Sequence, residues 1–222
     1  MRRVLAWIAV VAIVPTTAGC GDDPDPPRAR DAAVEVVATG CRELAIRGGG
    51  LAVAPGRVLT AAHVVAGADS ITVTGDGGTF EADLVALDPA LDLAVLAVDA
   101  ELPFVEIGSG EAGDAGTVVV HRDGEAVQLP VVVRRRVVVN TDDIHRTATV
   151  RRPGYELATP DARIERGDSG AVVVIDGRAV AVIWSRSNRD ETRVWATDAT
   201  AIGDRVGATA PLEAGECAPP TG

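Results

Sequence analysis

From residue 33 onward, short apolar runs rich in Val, Ile and Leu alternate with turns rich in Gly, Asp and Pro. Examples are SITVT, LAVLAV, GTVVVH and AVAVIWS. Closely spaced runs of strand length predict an all-β barrel or sandwich, because βαβ units would need helical segments between the strands. Only ATDATAIGDRVGA, near residues 196–208, has helical spacing. The sequence therefore predicts an all-β fold that ends in one short helix.

The chain has 222 residues, 47% of them hydrophobic, which suits one large domain or two small ones. We expect the folded region to span residues 33–208. The small, polar stretch SGEAGDAG predicts an internal boundary near residues 109–118. Residues 209–222 then form a C-terminal tail.

The N-terminus has the pattern of an export signal. Arg2 and Arg3 precede an apolar run, Val4 to Val14, that is shorter than the roughly 20 residues of a membrane span. The following TAGC resembles a bacterial lipoprotein cleavage box, although Thr17 stands where Leu is usual. We therefore expect residues 1–19 to be a lipoprotein signal and Cys20 to be lipidated. An ordinary secretory signal and a short uncleaved anchor are the alternatives.

Residues 20–32 are acidic and rich in Pro, which predicts a tether between the anchor and the folded region. The chain carries 21 basic and 32 acidic residues, a net charge of −11, and loss of the leader would remove two of the arginines. This balance argues against nucleic acid and anionic lipid headgroups as partners. Membrane attachment would then depend on the acylated Cys20 alone, at the bacterial cell envelope, on its periplasmic or other extracytoplasmic face.

Lipidation of Cys20 would leave Cys41 and Cys217, which lie near the two ends of the folded region. In an oxidising compartment we expect them to form a disulfide that ties the C-terminal tail to the start of the first half of the domain. Two unpaired thiols are the alternative.

GDSG, residues 167–170, runs directly into an apolar stretch. Ser169 is either a nucleophile or part of a polar turn, because Gly, Asp and Ser are ordinary turn residues. A nucleophilic serine needs a base, and the base needs an orienting group. The question is therefore whether the chain supplies a suitable His and Asp.

His63 lies in TAAHVV, where two small residues let the imidazole pack close to another element. Asp92 lies in LDLAVL between apolar neighbours, where a carboxylate is costly unless it is paired. His121 and His145 have polar neighbours, and Asp88 precedes a proline as turn residues do. His63 and Asp92 are therefore the candidate base and orienting acid, although a lone histidine of this kind is more often structural.

TAAHVV, LDLAVL and GDSG, in the order His, Asp, Ser, resemble the trypsin-like serine protease family, and the details resemble its bacterial HtrA-like and MarP-like periplasmic members. The resemblance spans about residues 34–208. It implies two antiparallel β-barrels with the active site between them. It also implies a triad of His63, Asp92 and Ser169, with the backbone N–H groups of Gly167 and Ser169 as the oxyanion hole.

By the same resemblance, Arg163 would form the floor of the specificity pocket, and Trp184, Ser185 and Arg186 one wall. With no acid at the floor, we expect cleavage after small or apolar residues. Ala171 departs from the family, which usually has Gly there, and its methyl group could crowd the wall behind the nucleophile.

The sequence thus predicts an exported serine endopeptidase that acts on proteins or peptides, without a PDZ-like module after residue 208. No cofactor is expected, and no metal, since neither His-x-x-x-His nor paired Cys spacing occurs. The alternatives are a catalytically weak or inactive surface lipoprotein that binds peptides on the same fold, and an esterase with the same mechanism.

Overall fold

The computed structural model describes residues 29–122, 124–160 and 163–219. The expected signal sequence, Cys20 and the expected tether up to residue 28 lie outside these residues, whereas the last four residues of the expected tether form the short helix α1, Ala29–Ala32. The described ranges contain the following elements, in chain order: α1 Ala29–Ala32, β1 Ala33–Thr39, β2 Ile46–Ala54, β3 Arg57–Thr60, α2 Ala62–Val65, β4 Ser70–Gly75, β5 Gly78–Asp88, β6 Leu93–Val98, β7 Ala115–Arg122, β8 Glu125–Asp142, β9 Thr149–Ala158, β10 Val172–Ile175, β11 Arg178–Arg186, β12 Arg193–Asp198 and a 3₁₀ helix Ala199–Arg205.

The strands form two closed antiparallel barrels of six strands each. In the first, the order is β1-β2-β3-β6-β5-β4, and pairing of β1 with β4 closes the ring. In the second, the order is β10-β11-β12-β9-β8-β7, and a short pairing of β10 with β7 closes it. The prediction of an all-β fold with two barrels is confirmed. The expected C-terminal helix is the 3₁₀ helix.

Each barrel is filled by the apolar side chains of its strands. Val36, Val58 and Leu96 are fully buried in the first barrel, as are Leu157 and Val173 in the second. Val and Ile supply much of this filling, because β-branched side chains pack well on a pleated surface, and the fully buried Tyr155 adds an aromatic ring to the second barrel. None of the helices in the described ranges is long and apolar enough to cross a membrane.

The segment between β6 and β7, residues 99–114, contacts both barrels. Val105 N–H donates to the carbonyl of Ala52 in the first barrel. Gly108 N–H donates to the carbonyl of Ala179 in the second. These backbone bonds connect the two barrels through the segment that joins them.

The glycine-rich strand β2 brings the barrels into backbone contact. Gly49 N–H donates to the carbonyl of Ser169 over 2.8 Å. A Cβ on Gly48 would lie 2.7 Å from that same carbonyl oxygen, and a Cβ on Gly49 would lie 2.9 Å from the methyl carbon of Ala171. Side chains at these two positions would force the barrels apart. Glycine here allows the loop that bears Ser169 to rest directly on the first barrel.

The C-terminal tail returns to the first barrel, where Cys41 and Cys217 form a disulfide. Leu212 N–H donates to the carbonyl of Leu84, and Gly67 N–H donates to that of Ala214. The tail is therefore held by backbone hydrogen bonds as well as by the covalent link.

Candidate active site

His63 is the second residue of the short helix α2, which follows strand β3 after one intervening residue. Ala61 and Ala62 before it are fully buried, so this turn packs tightly against the barrel. The side chain of His63 is only 13% exposed and borders the cleft between the barrels. The small residues that the sequence places before the imidazole thus have a packing role.

Asp92 lies in the turn between β5 and β6 and contacts His63 through both backbone and side chain. Its φ of 58° is left-handed, a conformation that Asp tolerates better than most residues. Oδ1 accepts a hydrogen bond from His63 N–H at 2.9 Å, and Nδ1 of His63 lies 3.0 and 2.9 Å from the two carboxylate oxygens. With the proton on Nδ1, the neutral ring keeps Nε2 as an acceptor.

The two partners shift each other's proton affinity. Burial opposes the charged form of His63, but the Asp92 carboxylate outweighs burial and raises the pKa of the imidazole above its ordinary value. Burial likewise opposes ionisation of Asp92, yet His63 lowers the pKa of that carboxyl below its usual range. An ionised Asp92 facing a basic imidazole is the charge state that general-base chemistry requires.

Ser169 borders the same cleft, in the loop before β10. Gly167 has a φ of 99°, and nothing lies within 4 Å of where its Cβ would be, so the glycine is required by backbone conformation. Within residues 29–122, 124–160 and 163–219, no group accepts a hydrogen bond from the N–H of Gly167 or Ser169. Among the same residues, no hydrogen bond connects Ser169 Oγ with His63.

Asp168, directly before Ser169, is buried, and its carboxylate accepts hydrogen bonds. Its Oδ2 accepts hydrogen bonds from Arg122 Nη2 and from Glu165 N–H, both at 2.7 Å. Arg122 also donates to the carbonyl of Arg163 at 2.6 Å. Arg122 on β7 therefore holds the loop that contains Ser169 at two points.

The cleft has a volume of about 750 Å³. Among its lining residues are His63, Asp92, Ser169, Trp184, Ser185 and Arg186. The structure thus brings the three candidate catalytic residues and the three predicted wall residues together around one space. Ala171 is fully buried against Gly49 and does not line the cleft.

Arg163 departs from its predicted place on the pocket floor. Its neighbour Ile164 lines the cleft, whereas the exposed Arg163 side chain pairs with Glu191 at 2.7 Å. Arg186 also pairs with Glu191, at 3.6 Å. Two arginines thus share the single carboxylate of Glu191, and Arg163 is not among the residues that line the cleft.

The sequence did not predict three charged residues that contact the site residues or pair beside the cleft. These are Arg122, Glu191 and Arg152, whose side chain is 3% exposed and lies 3.6 Å from the Asp92 carboxylate. No local signal marks them, because each acts through a partner far away in the sequence. Across the described part of the chain, no group of three His, Cys, Asp or Glu side chains could hold a metal ion.

Comparisons with known proteins find a family model and several named proteases that are similar to this chain. Residues 48–182 match the family model described as "Trypsin-like peptidase domain". The chain is 32% identical over 193 residues to "Serine protease Rv3671c" of Mycobacterium tuberculosis, which covers 83% of this chain and 48% of that protein. It is 33% identical over 143 residues to "Probable periplasmic serine endoprotease DegP-like" of Chlamydia trachomatis, covering 62% of this chain and 28% of the relative.

The fold also resembles that of solved protease structures. The active form of the Rv3671c protease from M. tuberculosis superposes with a TM-score of 0.79 at 25% identity, covering 98% of this chain and all of that one. The chain spans about half the length of the full mycobacterial relative.

Proposed function

This chain belongs to the trypsin-like peptidase family, and on that premise we propose that it is a serine endopeptidase that cleaves peptide bonds through an acyl-enzyme. The observation that carries the proposal is the double contact of His63 Nδ1 with the Asp92 carboxylate in a cleft that Ser169 also lines. Ser169 is the nucleophile, His63 the general base, and Asp92 the group that orients the base.

In the first half of the reaction, His63 Nε2 takes the proton of Ser169 as Oγ attacks the carbonyl carbon of the scissile bond. The tetrahedral intermediate collapses when the C–N bond breaks and His63 gives its proton to the leaving amine. Water then attacks the ester, again with His63 as base, and the acid product leaves with Ser169 restored. Asp92 holds the Nδ1–H tautomer and stabilises the imidazolium that forms in both halves.

The backbone N–H groups of Gly167 and Ser169 serve as donors to the developing oxyanion. Both residues line the cleft, and neither N–H is engaged by another described residue. Donors of this kind act mainly on the transition state, where the negative charge appears. Gly167 adopts a left-handed φ, a backbone conformation that a side chain at this position would oppose.

Substrate choice is proposed from the lining of the cleft. Ile164, Ile183 and Trp184 line the cleft beside Arg186, and the single carboxylate of Glu191 is shared by Arg163 and Arg186, which leaves a net positive charge at this wall. A small or apolar side chain fits such a wall better than a basic one. We therefore keep the prediction of cleavage after small or apolar residues.

The proposed location is the bacterial cell envelope, with the protein exported and anchored through lipidated Cys20. One of the relatives bears the word periplasmic in its name, and an oxidising compartment suits the Cys41–Cys217 disulfide. Palmitate labelling of the full chain tests the anchor. Label should be present in the native sequence and absent from Cys20→Ala, and label that persists in the variant contradicts lipidation at this residue.

A fluorophosphonate probe tests the enzymatic proposal directly. We expect the purified chain to be labelled at mildly alkaline pH and Ser169→Ala not to be labelled. Ser70→Ala, which changes an exposed serine on the first barrel, is the matched control and should be labelled fully. If the folded native chain does not react with the probe, the alternative of a peptide-binding protein on a protease fold is favoured. Ala171, the sequence feature that suggested low activity, faces Gly49 and not the cleft.

A further inference from the structure

The turn that bears the orienting carboxylate, residues 88–92, is held by groups from outside its own barrel. Contacts to it come from the hairpin β8–β9, from β12 and from the 3₁₀ helix. The donor and acceptor pairs are Arg205 Nη2 to Asp88 Oδ2, Ile144 N–H to Pro89 O, Arg152 Nε to Ala90 O, and Thr197 Oγ1 to Leu91 O. The distances run from 2.7 to 3.1 Å. The position of Asp92 therefore depends on how the two barrels dock.

Arg152 is the member of this set that also reaches the carboxylate. Its Nη1 lies 3.6 Å from Asp92 Oδ2. The guanidinium carbon lies 4.6 Å from the ring centroid of Trp184, a cation–π contact with a wall of the cleft. Nη2 donates to the carbonyl of Asp142 at 3.4 Å. One buried side chain thus connects the turn of the first barrel, the cleft wall and the β8–β9 hairpin.

Burial of a charged arginine here costs free energy unless its partners replace the hydrogen bonds that it made with water. The carbonyl bonds to Ala90 and Asp142 could be supplied by any donor, but the contact with Asp92 needs a positive charge. Since an imidazole and a guanidinium both approach the same carboxylate, they share its negative charge. Both groups approach the same oxygen, Oδ2, which lies 2.9 Å from His63 Nδ1 and 3.6 Å from Arg152 Nη1.

The charges around the imidazole come from three sides. Asp92 raises the pKa of His63, while Arg152 and, more weakly, Arg42 lower it. Around Arg152 itself, burial lowers the pKa of the guanidinium, and the carboxylates of Asp92, Asp88 and Asp143 act in the opposite direction. Arg152 therefore limits how tightly the imidazole holds a proton.

We propose that Arg152 is a positioning residue for the reaction: it holds the Asp92 carboxylate toward His63 and couples that carboxylate to the Trp184 wall of the cleft. This proposal rests on the proposed function, in which His63 is the base. Its consequence is that the orienting acid is correctly held only when the second barrel is docked. The charge of Arg152 should then be measurable at the imidazole, a readout that a purely structural residue would not change.

The test is a titration of the His63 imidazole by NMR, beside the pH profile of kcat/KM. Arg152→Met keeps much of the side-chain length and removes the charge. We expect the imidazole to titrate at higher pH in this variant, and kcat/KM per labelled active site to fall on the order of 10²-fold, because the carboxylate is no longer held in place. Arg152→Lys keeps the charge, and its imidazole should titrate close to that of the native chain.

Arg205→Met is the matched control, because it removes another arginine that contacts the same turn but does not face His63. Its imidazole should titrate as in the native chain. The proposal is overturned if Arg152→Met leaves the titration unchanged, or if Arg152→Lys shifts it as far as Arg152→Met does. Should Arg152→Met fail to fold, Arg152→Gln takes its place, because glutamine also removes the charge but keeps a donor for the carbonyls of Ala90 and Asp142.

The NMR titration is repeated in a Ser169→Ala background, which needs no catalysis. If the native chain neither hydrolyses peptides nor reacts with the fluorophosphonate, the proposed function fails while the effect of Arg152 on the imidazole is still measured. The two failures are therefore distinguishable.

Discussion

Arg122 on β7 donates a hydrogen bond over 2.7 Å to the carboxylate of Asp168, the residue immediately before Ser169. The Asp168 side chain is 1% exposed and that of Arg122 is 27% exposed, so the guanidinium pairs with a carboxylate that is buried from solvent. The hydrogen bond with Asp168 raises the pKa of the Arg122 guanidinium despite its partial burial. The loop of the nucleophile is thus held by an ion pair within this chain.

Arg122→Met should lower the free energy of unfolding by about 3 kcal/mol, because it leaves the Asp168 carboxylate buried without its cation. Urea denaturation measures the change. Combining Arg122→Met with Asp168→Asn should recover part of the loss, since no unpaired charge remains. Arg178→Met, which breaks an exposed pair with Glu106, is the control and should cost about 0.5 kcal/mol or less. Equal losses in the single and double variants would contradict this account.

The triad should behave as one unit. Ser169→Ala and His63→Ala should each reduce kcat by about 10⁵- to 10⁶-fold, and the double variant should lose little more. Asp92→Asn should cost about 10⁴-fold through the wrong imidazole tautomer. Asp88→Asn is the control, because its Oδ1 can still accept from the N–H groups of Ala90 and Leu91. An inactive Asp88→Asn beside a fully active Asp92→Asn would show that the wrong aspartate was chosen.

Activity should rise with pH as His63 loses its proton, because only the neutral ring can accept the proton of Ser169. Asp92 raises the pKa of the imidazole, so the midpoint of the kcat/KM profile should lie above the ordinary histidine value. Initial rates on a peptide ester between pH 5 and pH 9 measure this midpoint. A rate independent of pH across that range would argue against His63 as the base.

His121 should make the fold sensitive to acid. Its Nδ1 is buried and has no hydrogen-bond partner among the described residues, and burial lowers the pKa of the ring, although Glu35 and Asp76 act in the opposite direction. The unfolded chain therefore takes up this proton at higher pH than the folded chain, and stability falls as the pH drops below the ordinary histidine value. His121→Gln should lose less stability between pH 7 and pH 5 than the native chain. Identical losses, measured by urea denaturation, would contradict it.

Much of the architecture follows from local sequence. Short β-branched runs and close turn signals predict strands, and the strands of the structure coincide with runs such as LAVLAV and AVAVIWS. GDSG predicts a turn, because glycine permits the left-handed φ that Gly167 adopts. The apolar neighbours of Asp92 predict a buried carboxylate, and Asp92 is 5% exposed. These features are local because a strand pattern or a turn residue acts within a few positions of itself.

Tertiary structure alone decided which distant charges meet. Arg152 and Asp92 are 60 positions apart, and nothing in RRPGY distinguishes a buried arginine from a solvated one. Arg163 illustrates the same limit, because its side chain pairs with Glu191 instead of forming the predicted floor of the specificity pocket. The reason is physical: an arginine is ordinarily hydrated, and it becomes buried only where a fold supplies a carboxylate and backbone carbonyls from other elements to replace water. That supply depends on the docking of two barrels, which no local pattern encodes.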